Sequence, residues 1–477
     1  MTRVQRNLVM VVLASAVAAA VGYPAYEQYR LDEIKKNEAN QEKRLFRFGK
    51  IDVVQGRLQA GATDITFVRD DKGFWQLTEP MKTPADAEAI NGALSHFTGI
   101  KQDAMVAEDV SPAQLADYGL DDPEIRMSVT LEDGSRHELL VGARHPMAPQ
   151  YYITDGEKKV IASAAATFHS MLARETFAFR DKKIVPWAVD LITSAALLEE
   201  GRVRFKVALT DDRWTVTDGE GRTMAGDPSA IRRLLLVLTR DLRAESFPTD
   251  TFDPADPDQK KRYGFDEHSF TLVVTNKRGE EVSLTVGHAG EQVEVGGPYG
   301  HIQGSGTVVG VYENFPSDMD KPATHFRDRR LSMFDVDEAH RLELQFPGGK
   351  WLKVQREGTE ANGEPRFVAT APVRSKVKAW KVPAILRRFS VLRSNKVVCD
   401  GPSRLQLGEW HLEPPERRVR VLDRDGEVLA DVALGKKYDE NLRFASPAGR
   451  QRVDYLEESK LEVLPAAPED LLVPGEP

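Results

Sequence analysis

The sequence contains the motif Ser111-Pro112-x-Gln114-x-x-x-Tyr118-Gly119, and the same pattern returns as Asp256-Pro257-x-Gln259-x-x-x-Tyr263-Gly264. Each copy is followed by alternating apolar residues that end in Val-Gly, at Gly142 and at Gly287. The interval between the two prolines, applied once more, leads to Pro402 in a weaker third copy. Self-similarity at a fixed interval predicts three tandem structural units.

The motif predicts a short helix with both ends marked. Ser111 and Asp256 are N-cap residues, whose side-chain oxygens can accept a hydrogen bond from a first-turn amide. The proline that follows suits the first helical position, and the glutamine three residues after the cap completes a capping box. Gly119 and Gly264 can enter the left-handed region that ends a helix. The alternation that follows predicts antiparallel strands joined by tight turns, such as Asp133-Gly134.

Further landmarks recur in the first two units. Each has a tryptophan, then an aspartate that caps a longer helix, and each closes with Phe-Arg-Asp. We interpret the tryptophans as core anchors and the Arg-Asp pairs as residues that fix each joint between units. The recurring positions are Trp75, Asp86, Tyr118, Gly119, Gly142, Arg180 and Asp181, then Trp214, Asp227, Tyr263, Gly264, Gly287, Arg327 and Asp328.

The third unit departs from this pattern. Phe367 replaces the tryptophan, Ser375 is expected at the helix cap, and no Phe-Arg-Asp follows. The helix after the cap is expected to bury one apolar face. Its members are Val382, Ile385, Leu386 and Phe389.

Composition limits the possible functions. A chain of 477 residues exceeds what one core usually covers, and 41% hydrophobic with 29% charged residues is typical of folded protein. The net charge of −9 argues against a general nucleic-acid binder. The single cysteine, Cys399, excludes an intrachain disulfide and a cysteine-based zinc cluster.

The N-terminus predicts a membrane anchor. Residues 7–26 contain no charge and follow Arg3 and Arg6, which favours a transmembrane helix with the rest of the chain on the extracytoplasmic side. A cleaved signal peptide is the alternative, because small residues offer cleavage sites. Both readings export the bulk of the protein.

The expected fold class is α+β, with three tandem repeats of an antiparallel sheet and one or two packed helices each. The expected organisation is an anchor at 1–26, a charged stalk at 27–44, repeat units at 45–183, 184–330 and 331–465, and a loose tail at 466–477.

Candidate chemical sites are weak. Ser375-x-x-Lys378 matches the nucleophile motif of penicillin-binding enzymes, but the partner motifs Ser-Asp-Asn and Lys-Thr-Gly are absent. The carboxylates between Asp250 and Asp258 lack the glycine and terminal glutamate of an EF-hand. His288 and His301 are the only histidine pair that merits a test, and satisfied polar histidines are the favoured reading. We predict no catalytic, cofactor-binding or metal-binding residue.

One basic stretch is not shared among the units. It has no acidic residue, and its cations are Arg374, Lys376, Lys378, Lys381, Arg387, Arg388, Arg393 and Lys396. The favoured reading is a solvated helix face balanced by neighbouring carboxylates. The alternative is contact with lipid head groups or an anionic partner.

The motif string resembles the bacterial domain-of-unknown-function family 4340, from Trp75 through Tyr118-Gly119-Leu120-Asp121-x-Pro123 to Phe179-Arg180-Asp181-Lys182. The resemblance covers residues 50–330 as two copies and extends more weakly over 331–465. It implies one N-terminal membrane segment and gene neighbours that encode components of an ABC-type transport system related to gliding motility. It implies no catalytic residues.

The leading functional expectation is a non-catalytic, membrane-anchored interaction module on the extracytoplasmic side of the bacterial inner membrane. It would be accessory to an ABC-type transport or cell-envelope complex and bind protein partners. One alternative is a hydrolase or ligand-binding protein with a pocket between units, near Arg180, Asp181, Arg327 or Asp328. Another is binding of an anionic polymer or membrane surface through residues 374–396.

Overall fold

The computed structural model describes residues 43–157, 159–265, 269–287, 298–359, 365–448 and 452–473. The predicted anchor at 7–26 and almost all of the predicted stalk lie outside these ranges. Among the described residues, no helix has the length and apolar character needed to cross a bilayer.

Three antiparallel sheets of nine strands each dominate the described chain. The first contains β1 (Val53–Ala60), β2 (Thr63–Arg69), β3 (Trp75–Glu79), β4 (Thr83–Pro84), β5 (Ala104–Glu108), β6 (Ile125–Leu131), β7 (Arg136–Arg144), β8 (Gln150–Asp155) and β9 (Val160–Ala165). The second contains β10 (Ile192–Glu199), β11 (Arg202–Thr210), β12 (Arg213–Asp218), β13 (Thr223–Ala225), β14 (Ser246–Thr249), β15 (Phe270–Asn276), β16 (Glu281–Val286), β17 (Tyr299–Ile302) and β18 (Val308–Gly310). The third contains β19 (Arg341–Gln345), β20 (Trp351–Thr359), β21 (Pro365–Ala371), β22 (Ser375–Lys376), β23 (Lys396–Asp400), β24 (Arg417–Leu422), β25 (Val428–Lys437), β26 (Leu442–Pro447) and β27 (Arg452–Glu457).

Strand order is the same in all three sheets. The first sheet runs β4-β3-β2-β1-β6-β7-β8-β9-β5, and the other two follow the same scheme. In each, the first four strands form one meander, the next four form another, and the strand between them in sequence crosses to the far edge. The third unit is therefore a copy of the repeat despite its divergent sequence, and the described fold is mostly β.

The α-helices of the described chain are few and mostly short. They are α1 (Ala87–Gly99), α2 (Pro112–Asp117), α3 (His169–Leu172), α4 (Thr176–Phe179), α5 (Pro228–Leu236), α6 (Pro257–Tyr263), α7 (Phe315–Met319), α8 (Lys381–Phe389) and α9 (Arg404–Glu409). The first helix after each opening meander, which is α1, α5 or α8, is amphipathic and turns its apolar face into the core. The predicted face of α8 is confirmed, because its four apolar members are buried. Burial of each such side chain stabilises the fold by about 1.5–3 kcal/mol.

The predicted helix caps are also confirmed. Ser111 Oγ accepts from the Gln114 amide, and Gln114 Oε1 accepts from the Ser111 amide at 2.9 Å. Asp256 caps α6 in the same place. The third copy begins at Ser403, which caps α9 through Gln406. Pro402 therefore precedes the cap, and the register predicted for the third copy was wrong by two residues.

One glycine contact is common to all three repeats. Gly142 passes so close to the end of α2 that a β-carbon there would overlap the carbonyl oxygen of Tyr118. A β-carbon on Gly287 would likewise overlap the carbonyl oxygen of Tyr263, and one on Gly435 would overlap that of Trp410. Because the obstacle is backbone, it cannot swing aside as a side chain could. The glycine at the end of each motif is thus required by the docking of a short helix against a strand.

The helix cap of the third unit differs from the prediction. Ser375 lies in β22 rather than at a cap, and α8 begins after Trp380 without a side-chain cap. The position equivalent to Asp86 and Asp227 is held by Lys378, whose amide donates to the Leu471 carbonyl at 2.9 Å. The cap prediction for Ser375 was wrong because it ignored the strand that precedes the helix.

The segment expected to be a loose tail is packed as far as residue 473. Leu471 is fully buried, and the Val473 amide donates to the Lys376 carbonyl at 2.9 Å. These bonds repeat those made by Phe179 and Asp181 with residues 86 and 84 of the first repeat. Residues 471–473 therefore close the third unit where Phe-Arg-Asp closes the others.

The described residues form two compact units whose limits differ from those of the repeats. The first takes in residues up to Pro186, Leu238 to Ser269 and Val282 to Pro316. The second takes in Trp187 to Val237, Phe270 to Glu281 and residues from Ser317 onward.

The glycine contact gives a testable prediction. Gly142→Ala should lower the stability of the protein by about 1–3 kcal/mol, because the added methyl is forced into packed backbone. Gly92→Ala is the matched control: Gly92 lies inside α1 with open space where a β-carbon would sit, so alanine should stabilise the helix by about 0.5–1 kcal/mol. The urea denaturation midpoint of each variant decides. A neutral Gly142→Ala would contradict the proposed contact.

Candidate functional site

The closing Phe-Arg-Asp of the first repeat binds the second repeat within the first compact unit. Arg180 donates from both terminal nitrogens to the carboxylate of Asp250, each at 2.8 Å. Its guanidinium also lies 3.5 Å from the ring centroid of Phe247. The Arg180 side chain is 5% exposed and that of Asp250 is 27% exposed, so a buried arginine forms a bidentate pair with a half-buried aspartate.

The same arrangement recurs in the second compact unit. Arg327, the equivalent of Arg180, forms an ion pair with Asp400 at the end of β23. In both cases the partner is an aspartate of the next repeat and not the aspartate next in sequence. Asp181 instead accepts from the Lys183 amide, and Asp328 pairs with Arg330 at 2.9 Å.

The other recurring residues have structural contacts. Asp86 and Asp227 cap α1 and α5, as predicted. Asp227 also pairs with Arg393 of the third repeat. Trp75 is 4% exposed and donates to Asn91 at 3.3 Å, as a core anchor should. Trp214 is only half-buried, so its expected role as a core anchor holds less well.

Trp214 faces a pocket of about 900 Å³ at the joint of the second and third repeats. The pocket lies wholly within the second compact unit. Its apolar wall includes Trp214, Met224 and Pro228. Its charged residues are Asp212, Arg213, Arg222, Arg327, Asp328, Arg330, Asp400 and Arg452.

Most of these charges are already paired. Arg222 binds Asp218 at 2.8 Å, and Arg327 and Arg330 bind the aspartates named above. Arg452 binds Asp454 at 2.9 Å. In the described part of the chain, Arg213 alone among the pocket arginines forms no ion pair. The pocket lining therefore combines a tryptophan with one exposed arginine that has no ion pair among the described residues.

Arg452, which lines the pocket, forms a buried ion pair with Asp454. Asp454 is fully buried, and burial raises the pKa of its carboxyl despite the nearby Arg452 and a 2.9 Å hydrogen bond from Ser394. Arg452 donates further to the carbonyls of Asp328 and Arg330. Burial closes the Asp454 carboxyl off from solvent, and its contacts with Arg452 and Ser394 are those of a structural ion pair.

The pocket lining has three carboxylates, Asp212, Asp328 and Asp400, and the last two are ion-paired. Its lining holds no histidine, serine or cysteine among the residues that the structure describes. Cys399 lies next to Asp400, and burial together with Asp400 and Asp454 raises the pKa of its thiol. A raised pKa keeps the sulfur protonated and unreactive.

The weak metal candidates are explained by structure. Asp250 binds Arg180, and Asp253 and Asp256 accept from backbone amides. His301 Nε2 lies 2.9 Å from the Ser305 carbonyl, while His288 lies outside the described residues. Across the ranges that the structure describes, no group of three metal-ligating side chains converges.

The basic stretch is divided among several roles. Arg374 pairs with Glu357 at 2.5 Å, and Arg393 pairs with Asp227. Lys378 and Lys381 donate to the Asp470 carbonyl. Lys376 and Lys396 lie exposed in β22 and β23. Arg387 and Arg388 project from α8. The eight cations therefore do not form one surface, and the exposed part of it on α8 consists of Arg387 and Arg388.

Sequence reasoning missed the aspartates that receive the motif arginines. Asp250 and Asp400 occupy equivalent places at the end of the fifth strand of their repeats, so their recurrence was a usable signal. Asp250 instead drew comparison with an EF-hand loop, because other carboxylates follow it closely in sequence. The Arg452–Asp454 pair has no counterpart in the repeated motif, so nothing in the sequence indicated it.

The joint gives a second prediction. Arg180→Met should destabilise the protein by about 1–3 kcal/mol, because it removes a bidentate pair and leaves the half-buried Asp250 with only Thr307 as a side-chain donor. The control is Arg57→Met, which removes an equally short bidentate pair with Asp64 on an exposed strand face, 49% and 47% exposed. Its denaturation midpoint should barely change. Equal losses in the two variants would contradict a special role for the joint.

The family described as "Domain of unknown function (DUF4340)" matches residues 75–260 and 249–407. The two overlapping matches agree with tandem copies, and together they cover well over half of the chain. No curated protein and no solved structure matches this chain. With the fold and the repeated motif, this match identifies the chain as a member of the DUF4340 family.

Proposed function

We propose that this protein is a non-catalytic, membrane-anchored interaction module on the extracytoplasmic side of the bacterial inner membrane. It would serve as an accessory to an ABC-type transport or cell-envelope complex. The proposal rests on the contacts that the recurring polar residues make within the protein. Arg180, Arg327, Asp86 and Asp227 all bind within the protein, as caps or joints, and leave no recurring set for chemistry in the described part of the chain.

The chemistry of the joint supports the same conclusion. An enzyme site requires a nucleophile or an acid and a base that reach a bound substrate. The carboxyl with the raised pKa, Asp454, is sealed behind Arg452, and the thiol of Cys399 is held protonated. A scaffold that presents surfaces fits these observations better than a catalyst.

The membrane part of the proposal rests on the sequence. Residues 7–26 are uncharged and follow two arginines, a pattern that favours an anchor with the remainder exported. The transport association rests on the gene neighbours that the family resemblance implies.

Co-purification tests the proposal. Full-length protein and a chain that begins at Lys43 are purified in mild detergent, and bound proteins are identified by mass spectrometry. The shorter chain keeps Lys43 because its carbonyl accepts from the Gln102 amide and so belongs to the fold. We expect integral-membrane transport subunits with the full-length form only. Recovery of both forms without partners would overturn the proposal.

Binding of a small molecule at the joint is the second candidate, because the pocket beside Trp214 and Arg213 is large enough for a ligand. Native mass spectrometry of protein purified from its host is the test. A bound compound that is lost on Trp214→Ala, and kept on Trp75→Phe in the first repeat, would support this candidate. Protein of bare chain mass would count against it.

A further inference from the structure

Helix α8 presents an unusual face to solvent. Trp380, just before the helix, and Val391, just after it, are 67% and 68% exposed. Ala384, Arg387 and Arg388 lie between them at helical spacing, so all five share one side. This side is opposite the apolar face that α8 buries in the core.

A groove of about 480 Å³ runs along the end of this face. Its cationic members are Arg387, Arg388, Arg393 and Lys460, and no acidic residue of the described chain lines it. Its apolar members are Ala384, Val391, Leu392 and Val463. The groove therefore combines positive charge with an apolar floor.

Two of these cations bind other groups of the protein. Arg393 binds Asp227, and Lys460 binds the Arg393 carbonyl and Asn395. Arg387 and Arg388 form no ion pair with any residue that the structure describes. Both arginines lie in the last turn of α8, where their charge favours the negative end of the helix dipole by about 0.3–1 kcal/mol each. That effect leaves their guanidinium groups available to a partner.

The corresponding helices of the other repeats lack this feature. Helix α1 contains no lysine or arginine. In α5 the residues equivalent to Arg387 and Arg388 are Leu236 and Val237. Its two arginines, Arg232 and Arg233, lie one turn earlier, and Arg232 is paired with Asp190 at 2.9 Å. The face on α8 therefore belongs to the third repeat alone and is not part of the shared architecture.

We propose that this face docks an acidic segment of a partner protein. Carboxylates of the segment would bind Arg387 and Arg388, whose planar guanidinium groups suit bidentate contacts. An apolar side chain of the segment would enter the groove between Val391 and Val463. Exposed tryptophan and arginine are the residue types that most often dominate protein interfaces. The inference rests on the proposed function, since it assigns the interaction to a particular surface.

A protein segment fits better than a membrane surface. A helix that binds a bilayer inserts its apolar face, but the apolar face of α8 is buried in the core. The groove is also concave, so a side chain can enter it and a flat layer of head groups cannot.

The test uses full-length protein in neutral detergent and a fluorescein-labelled peptide of four Glu-Glu-Leu repeats. Fluorescence anisotropy should show binding that weakens with salt, and no binding of the Gln-Gln-Leu version. Arg387→Glu with Arg388→Glu should lower the affinity by at least about tenfold, as loss of central charge contacts does. Arg404→Glu with Arg424→Glu is the control, because both arginines are exposed in the same compact unit; its affinity should be unchanged.

Three outcomes would overturn the proposal. The wild-type protein could ignore the acidic peptide, or both double variants could bind it equally. The third outcome is contact with lipid, which is measured with full-length protein in vesicles. Quenching by bromine-labelled phosphatidylglycerol that disappears in Trp380→Phe would identify the face as a membrane contact.

The two proposals can fail separately. If transport subunits co-purify with the wild type and the peptide does not bind, the surface assignment is wrong and the proposed function stands. If the peptide binds as expected and no subunits co-purify, the surface stands and the transport role is wrong.

Discussion

The pair between the buried Arg180 and Asp250 shows how one repeat holds the next. The segment that carries the arginine pairs its backbone with its own repeat, through the Asp86 amide and the Phe179 carbonyl. Its side chain crosses to the following repeat and is desolvated there. Because an unpaired buried charge is costly, the arginine and the aspartate can hardly change one at a time. The joint thus constrains sequence on both sides.

This constraint separates architecture from function. The residues that recur are those that cap helices, admit close backbone contact or bind across joints. Residues that do not recur are free of these structural duties and can serve an activity specific to this protein. Arg387 and Arg388 are such residues, and so is Arg213 in the pocket beside Trp214. Surfaces unique to one repeat are the rational targets for mutagenesis.

Local features of this fold were predictable, and distant pairings were not. Caps such as Ser111 and Asp227 follow from chemistry within one helical turn, and the buried face of α8 follows from helical periodicity. The crossing of β5, β14 and β23 to the far edge of each sheet depends on tertiary packing that no local pattern records. The same holds for the pairing of Arg327 with Asp400, far apart in sequence. Both candidate sites were visible in part beforehand, as the joint near Arg327 and Asp328 and as the basic character of residues 374–396. The place of Trp214 in the pocket was not, because this residue was interpreted as a core anchor.

The third repeat shows what the fold tolerates over evolutionary time. It has lost the tryptophan, the capping aspartate and the closing Phe-Arg-Asp, and His411 holds a left-handed position where the other copies have glycine. It has kept Gly435, where strand and helix backbones touch. Side chains can be exchanged once their neighbours adjust, but two main chains in contact have no such freedom. Ancient duplicates of this unit should therefore be recognisable by a single glycine after most of their shared residues have been replaced.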